Sequence, residues 1–259
     1  ESFYLPRYIE MQKRFFDRFL KDADNGWDKE PPLRLEIRDV HGDATVRQEH
    51  EWPLARTQWT KLFLDTGAKA LARDKPAKAG SVSYEALGDG VRFTTAPFEA
   101  ETEITGHVAA HLVVSSSTRD MVIFATLHAI DPDGKEVVFI GAHEPTPMAR
   151  GWLRVSHRKL DPARSKPYRP FLVHDEVQKI TPGERYAVDV EIWPTSLVFP
   201  KGYRLALSIM GKDFEFPDIP GRLLHNDPVD RPAEEFGGTN TIHAGGEAES
   251  YLLVPVIPN

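Results

Sequence analysis

The sequence predicts a mostly β protein, a β-sandwich led by one amphipathic helix, and three observations carry that prediction. Apolar and polar residues alternate with period two in several segments after residue 32, most clearly at Tyr186, Val188, Val190 and Ile192 against Ala187, Asp189 and Glu191. Turn-forming clusters separate these segments at short intervals, and no crossover helix lies between them. Helical periodicity occurs once, at the start of the chain.

In that first element Tyr8, Met11, Phe15 and Phe19 fall at helical spacing. Phe16 and Leu20 widen the stripe, while Lys13, Arg14 and Asp17 lie off it. Pro6 suits a first helical turn and Asn25-Gly26 supplies a stop. The phenylalanine face is expected to pack on the nearest body, the alternative being a patch left exposed when an upstream domain is absent. After Pro31-Pro32 the character turns to β. Strands are expected over 33–38, 59–64, 90–95, 107–115 and 121–130, the last turning through Asp131-Pro132-Asp133-Gly134 into 135–140. Further strands are expected over 186–192, then through Lys201-Gly202 into 204–210, and over 251–256. Pro-rich stretches at 162–170 and 217–232 read as long loops.

Composition narrows the function classes. A chain of 259 residues is long enough for one sizeable core. A net charge of −7 and a pI near 5.8 argue against a nucleic-acid partner, which needs clustered Lys and Arg. No apolar run is long enough to span a bilayer and no signal-peptide pattern is visible, so no membrane partner is expected. With no cysteine there is no disulfide framework, thiolate metal site or cysteine nucleophile, which is compatible with a cytoplasmic location. The chain opens on Glu1 without an initiator Met, and its first helix calls for a partner. It is therefore expected to be a piece of something longer.

The motifs offer little chemistry. Ser156 beside His157 is the most tempting pair, but neighbours on an extended segment point to opposite faces, whereas a nucleophile must reach its base. No G-x-S-x-G elbow surrounds Ser81, Ser83 or Ser115-Ser116-Ser117. Phosphate-loop, H-E-x-x-H and glycine-rich dinucleotide patterns are missing, and Gly237-Gly238 has no helix after it. Among ten histidines the densest ligand groups are His225 with Asp227, and His174 with Asp175 and Glu176. Loop His and Asp bond backbone more often than metals, and Asp131-Pro132-Asp133-Gly134 is ordinary turn chemistry rather than a calcium loop. Five tryptophans (Trp27, Trp52, Trp59, Trp152, Trp193) would suit a sugar platform if exposed, but strand positions favour core or domain contacts for most of them. No catalytic residue, cofactor or metal ligand is assigned.

Two sets of residues resemble one family. Gln12 to Lys21, Asp24-Asn25-Gly26-Trp27 and Pro31 to Arg34 resemble the end of the α/β-hydrolase domain of cocaine-esterase-like (CocE/NonD) hydrolases. Asp131 to Gly134, Gly151 to Arg158, Val198 to Leu205, His225-Asn226-Asp227, Asp230-Arg231-Pro232 and Leu252 to Pro255 resemble that family's X-Pro dipeptidyl-peptidase C-terminal domain. The resemblance implies a jelly-roll β-sandwich of galactose-binding-like form over 32–259, with 1–31 the C-terminal remnant of the catalytic domain. It also implies that the serine, acid and histidine of the reaction lie on an α/β-hydrolase domain, and no residue here matches any of them. That catalytic domain, upstream or as a separate piece, is the implied partner, with a homo-oligomer a further possibility. The expected role is a non-catalytic domain packed on the hydrolase domain, walling its substrate pocket or supporting oligomers, through Phe15, Phe16, Phe19 and Trp27. The rival readings are a free-standing carbohydrate- or ligand-binding module and an intact hydrolase using Ser156 and His157.

Overall fold

The computed structural model describes residues 4–141, 144–216 and 230–258. Helix α1 spans Pro6–Lys21 and is followed by a 3-10 turn at Trp27–Lys29. The strands are β1 (Leu33–Arg38), β2 (Ala44–Glu49), β3 (Gln58–Asp65), β4 (Ala70–Ala72), β5 (Gly80–Glu85), β6 (Val91–Thr95), β7 (Thr102–Ser116) and β8 (Val122–Ile130). They continue as β9 (Phe139–Gly141), β10 (Glu144–Thr146), β11 (Ala149–Arg154), β12 (Tyr186–Phe199), β13 (Arg204–Met210), β14 (Thr239–Ala244) and β15 (Tyr251–Ile257). A short helix α2, Ala233–Phe236, precedes β14.

The mostly β expectation and the leading helix hold, but the strands do not form plainly a sandwich. Nine of them close on themselves in the order β12-β11-β8-β13-β6-β4-β3-β15-β7, with β7 returning to β12. Closure rests on the two longest strands. β7 bonds β12 from Thr102↔Phe199 to Val114↔Tyr186 along one edge, and along the other it bonds β15 and then β14. The ring is mixed, because β4 runs parallel to β6 at its narrowest joint. The β1–β2 hairpin extends from β12, and the β14–β5 pair from β7.

Inward residues of these strands fill the interior. Phe93, Phe199, Leu64, Ile104, Leu112 and Leu127 are fully buried, each contributing on the order of 2 kcal/mol by leaving water. β12 keeps the predicted alternation, with Val188, Val190 and Ile192 inside. β8 is buried on both faces. Phe214 lies across His128 and the Arg231 guanidinium across Phe124, so its outer side is roofed as well.

Several expectations need correction. Asp131 makes the predicted turn, its carboxylate accepting the N–H groups of Asp133 and Lys135, but the strand beyond shrinks to the bridge Ile130↔Glu136 and the short β9. The turn at Lys201-Gly202 joins strands that are not neighbours, since β13 pairs with β6 and β8. The expectation that α1 packs on the nearest body is overturned. No residue of α1 is buried, and Phe16 and Phe19 are 52% and 56% exposed. Polar bonds tie the helix down instead. The Tyr8 hydroxyl donates to Glu36, Arg14 pairs with Glu30 at 2.6 Å, and Arg18 pairs with Asp28 at 2.8 Å.

Candidate functional site

Phe15, Phe16, Phe19 and Trp27, the expected interface residues, lie against one another. The Phe15 ring sits 5.4 Å from Phe16 and 5.3 Å from Trp27, both edge to face, and 4.8 Å from Phe19 at a tilt of 50°. Asn25 locks the chain under the helix by donating to the Arg14 carbonyl at 2.8 Å, and Gly26 takes the left-handed turn that brings Trp27 back. The result is one aromatic ridge with solvent over much of it.

The other predicted groups do not assemble a reaction centre. Residues 155–157 form a 3-10 turn rather than an extended segment, which changes the reason for the divergence of Ser156 and His157 but not the outcome. Ser156 is fully buried and its hydroxyl donates to Asp120 at 2.7 Å. Burial alone raises the Asp120 carboxyl. The hydrogen bonds from Ser156, Arg154 and the Met121 N–H outweigh it and hold the group below the ordinary range. Asp175 and Glu176 both pair with Lys159. His174 turns away from them to face His157, with ring centroids 5.9 Å apart. His225, Asn226 and Asp227 lie outside the described residues. Among the described residues no group of three or more His, Asp or Glu side chains is placed to hold a metal ion.

A core place for the tryptophans is not found, for none of the five is buried. Trp52 and Trp59 are half-covered by His107 and Tyr168. Trp152 on β11 and Trp193 on β12 point outward side by side, ring centroids 5.6 Å apart and tilted by 55°. Trp193 follows Glu191 on the outward face of β12, at a register shift between Ile192 and Thr195 where Pro194 cannot donate to the ladder. Gly151 lets the two strands meet, because a Cβ there would lie 2.0 Å from the Glu191 carbonyl oxygen. The pair floors a groove of about 430 Å³ with Glu191, His157, Leu172 and His174 around it.

Sequence reasoning missed one buried cluster altogether. The Ser208 hydroxyl on β13 donates to His128 Nε2 at 2.9 Å, and His128 Nδ1 faces Glu136 at 2.6 Å. Burial pushes the His128 ring below its ordinary value against the pull of Glu136. Burial raises Glu136, but His128 and Arg92 outweigh it and the carboxyl lies below the ordinary range. The connectivity resembles an acyl-transfer triad. However, Ser208 sits in mid-strand at 4% exposure, and its oxygen already accepts Arg92 Nε at 3.1 Å. The cluster ties β6, β8 and the Asp131 turn to β13. The one available signal was a lone His inside the apolar run Met121 to Ile130.

Comparison with known proteins accounts for the lack of an assembled reaction centre among the described residues. Residues 25–253 match the X-Pro dipeptidyl-peptidase C-terminal non-catalytic domain. A CocE/NonD family hydrolase from Staphylococcus aureus superposes on 99% of this chain and 47% of its own length, with a TM-score of 0.88 and 28% identity. Cocaine esterase of Rhodococcus sp. is 25% identical over 95% of this chain and 45% of its own length. An alpha-amino acid ester hydrolase shares the fold at a TM-score of 0.67 and 18% identity, over 95% of this chain and 44% of its own. The chain thus spans less than half the length of these proteins, and in the homologues an α/β-hydrolase domain accompanies it. The chain belongs to the X-Pro dipeptidyl-peptidase C-terminal non-catalytic domain of the CocE/NonD hydrolase family.

Proposed function

We propose that this chain is the accessory domain of a serine ester or peptide hydrolase, held against an α/β-hydrolase domain by the ridge of Phe15, Phe16, Phe19 and Trp27. In this reading residues 1–31 are the last part of the catalytic domain, and 32–259 form a jelly-roll-like body that walls the substrate pocket or supports oligomers. The reading rests on one observation: the most aromatic segment of the chain buries none of its residues. A helix of 16 residues is marginal alone in water, and an exposed apolar stripe of this kind marks a contact surface.

Such a face stabilises a complex by removing aromatic area from water, with truncation of a central ring costing on the order of 2 kcal/mol of binding. Docking also excludes water from the rim of the neighbouring active site, where electrostatic stabilisation then acts at low dielectric. The test is to read the coding sequence around this chain, express the piece carrying a G-x-S-x-G element, and titrate it with the chain. Saturable association, lost in the Phe16→Asp, Phe19→Asp double variant, is the expected result. The reading fails if the surrounding sequence encodes no α/β-hydrolase piece, or if the double variant binds it unchanged.

A further inference from the structure

We infer that the Trp152–Trp193 groove binds a neutral hexopyranose ring of an oligosaccharide, stacked on Trp193 and held by hydrogen bonds to Glu191 and His174. The site goes beyond accessory packing and shares no residue with the α1 ridge.

Four observations carry the assignment. Trp193 is 61% exposed on a sheet face, while Trp152 tilts against it, so the two indoles make one continuous aromatic floor. A pyranose has a face of C–H groups that suits such a floor and a rim of hydroxyls that needs polar partners. Those partners stand at the edge: Glu191 accepts hydrogen bonds, and the imidazoles of His157 and His174 line the opposite side. The apolar walls around Glu191 raise its carboxyl above the ordinary range, the mark of a partly dehydrated group.

The groove is also held in shape. His174 takes a left-handed φ of 59°, a conformation that non-glycine residues keep only when their surroundings enforce it. The wall carrying Leu172 is clipped to 159–161 by Asp161 N–H to the Phe171 carbonyl and Val173 N–H to the Lys159 carbonyl. The Nδ1 of His157, a groove-lining residue, is buried without a hydrogen-bond partner among the described residues. Asp120 holds the 155–157 turn through Arg154, just before it, and Ser156, its middle residue.

Charge decides the ligand class. Arg154 also lines the groove but is paired with Asp120 at 2.8 Å and with Glu235 at 3.6 Å, so it offers no free cation to an anionic ligand. An organic cation would find one carboxylate, Glu191, on which the Arg169 charge already acts. A neutral polyhydroxylated ring meets the aromatic floor and the hydrogen-bonding rim with no charge to compensate. The groove is an open cleft, which suits one ring within a longer chain.

The experiment titrates the 259-residue chain with cellohexaose, maltohexaose, mannohexaose, galactohexaose and chitohexaose, by calorimetry and by tryptophan fluorescence. Saturable binding of at least one, with quenched indole emission, is expected. Trp193→Ala should weaken it roughly tenfold or more, as for a lost central aromatic anchor. Trp193→Tyr should restore part of the affinity, and Glu191→Gln should weaken binding without changing the melting temperature. Should Trp193→Ala not fold, the Tyr and Gln variants carry the test. Absence of saturable binding by all five sugars at about 10 mM overturns the assignment, as does binding that Trp193→Ala or Glu191→Gln leaves unchanged. Neither result bears on α1, whose docking is read with different variants.

Discussion

The ring and α1 spend their apolar residues in opposite ways. Phe93, Phe199 and Leu127 have partners on every side, so the ring's stability is internal. α1 carries a comparable aromatic load, yet Phe15, Phe16 and Phe19 touch mainly one another and Trp27. Amphipathicity specifies which face seeks cover; it does not specify what supplies it. The difference separates residues that make this chain fold from residues that make it useful to something else.

The comparison breaks most readily in the core. Phe93→Ala should cost about 3–5 kcal/mol in urea unfolding, because the cavity is ringed by rigid strands. A smaller loss would mean the ring is more pliable than its closure implies. Gly151→Ala comes next, at roughly 1–3 kcal/mol, since the added methyl strikes the Glu191 carbonyl and must part β11 from β12. Ser156→Ala should cost about 1–2 kcal/mol by leaving Asp120 short of a donor, and should not alter any hydrolysis of p-nitrophenyl esters. Loss of such hydrolysis would revive Ser156 as a nucleophile.

A pH titration sharpens the same contrast. The folded pKa of His128 lies below the unfolded value near 6.5, because burial disfavours the charged ring. Its contribution is therefore fully present above about pH 6.5 and is lost as pH falls toward the folded value, at up to ~1.4 kcal/mol per pH unit. His107 and His243 are lowered by burial as well and act with the same sign. His128→Gln should flatten the melting temperature between about pH 6.5 and 5. The smallest effect is expected on the helix: Phe19→Ser should change stability by no more than about 0.5 kcal/mol, as for a surface site.

Much of this architecture was legible where one face is buried. β12 announced itself by alternation, β7 and β8 by long apolar runs, and α1 by its stripe and Pro6. β2 and β5 were invisible because both are polar edge strands with little inward face. Ring closure hangs on β4, three residues long, and on pairings between strands far apart in sequence, which no local pattern encodes. The same distance hid His128, Glu136 and Ser208, which meet across two strands and a turn. Trp193 was assigned to core or domain contact on the strength of its strand, although the inward set Val188, Val190 and Ile192 places it on the outer face. The four ridge residues are close in sequence and need only a helix and a turn to meet, but the stripe did not tell that its face stays open in this chain.

Hydrogen exchange over residues 6–21 tests the docking face most directly. In the chain alone the α1 amides should exchange quickly while β7 and β8 stay protected, because the helix lacks a packed side. Addition of the α/β-hydrolase piece should slow exchange across α1, and the Phe16→Asp, Phe19→Asp variant should abolish that slowing. Equal protection of α1 with and without the catalytic piece would contradict the account.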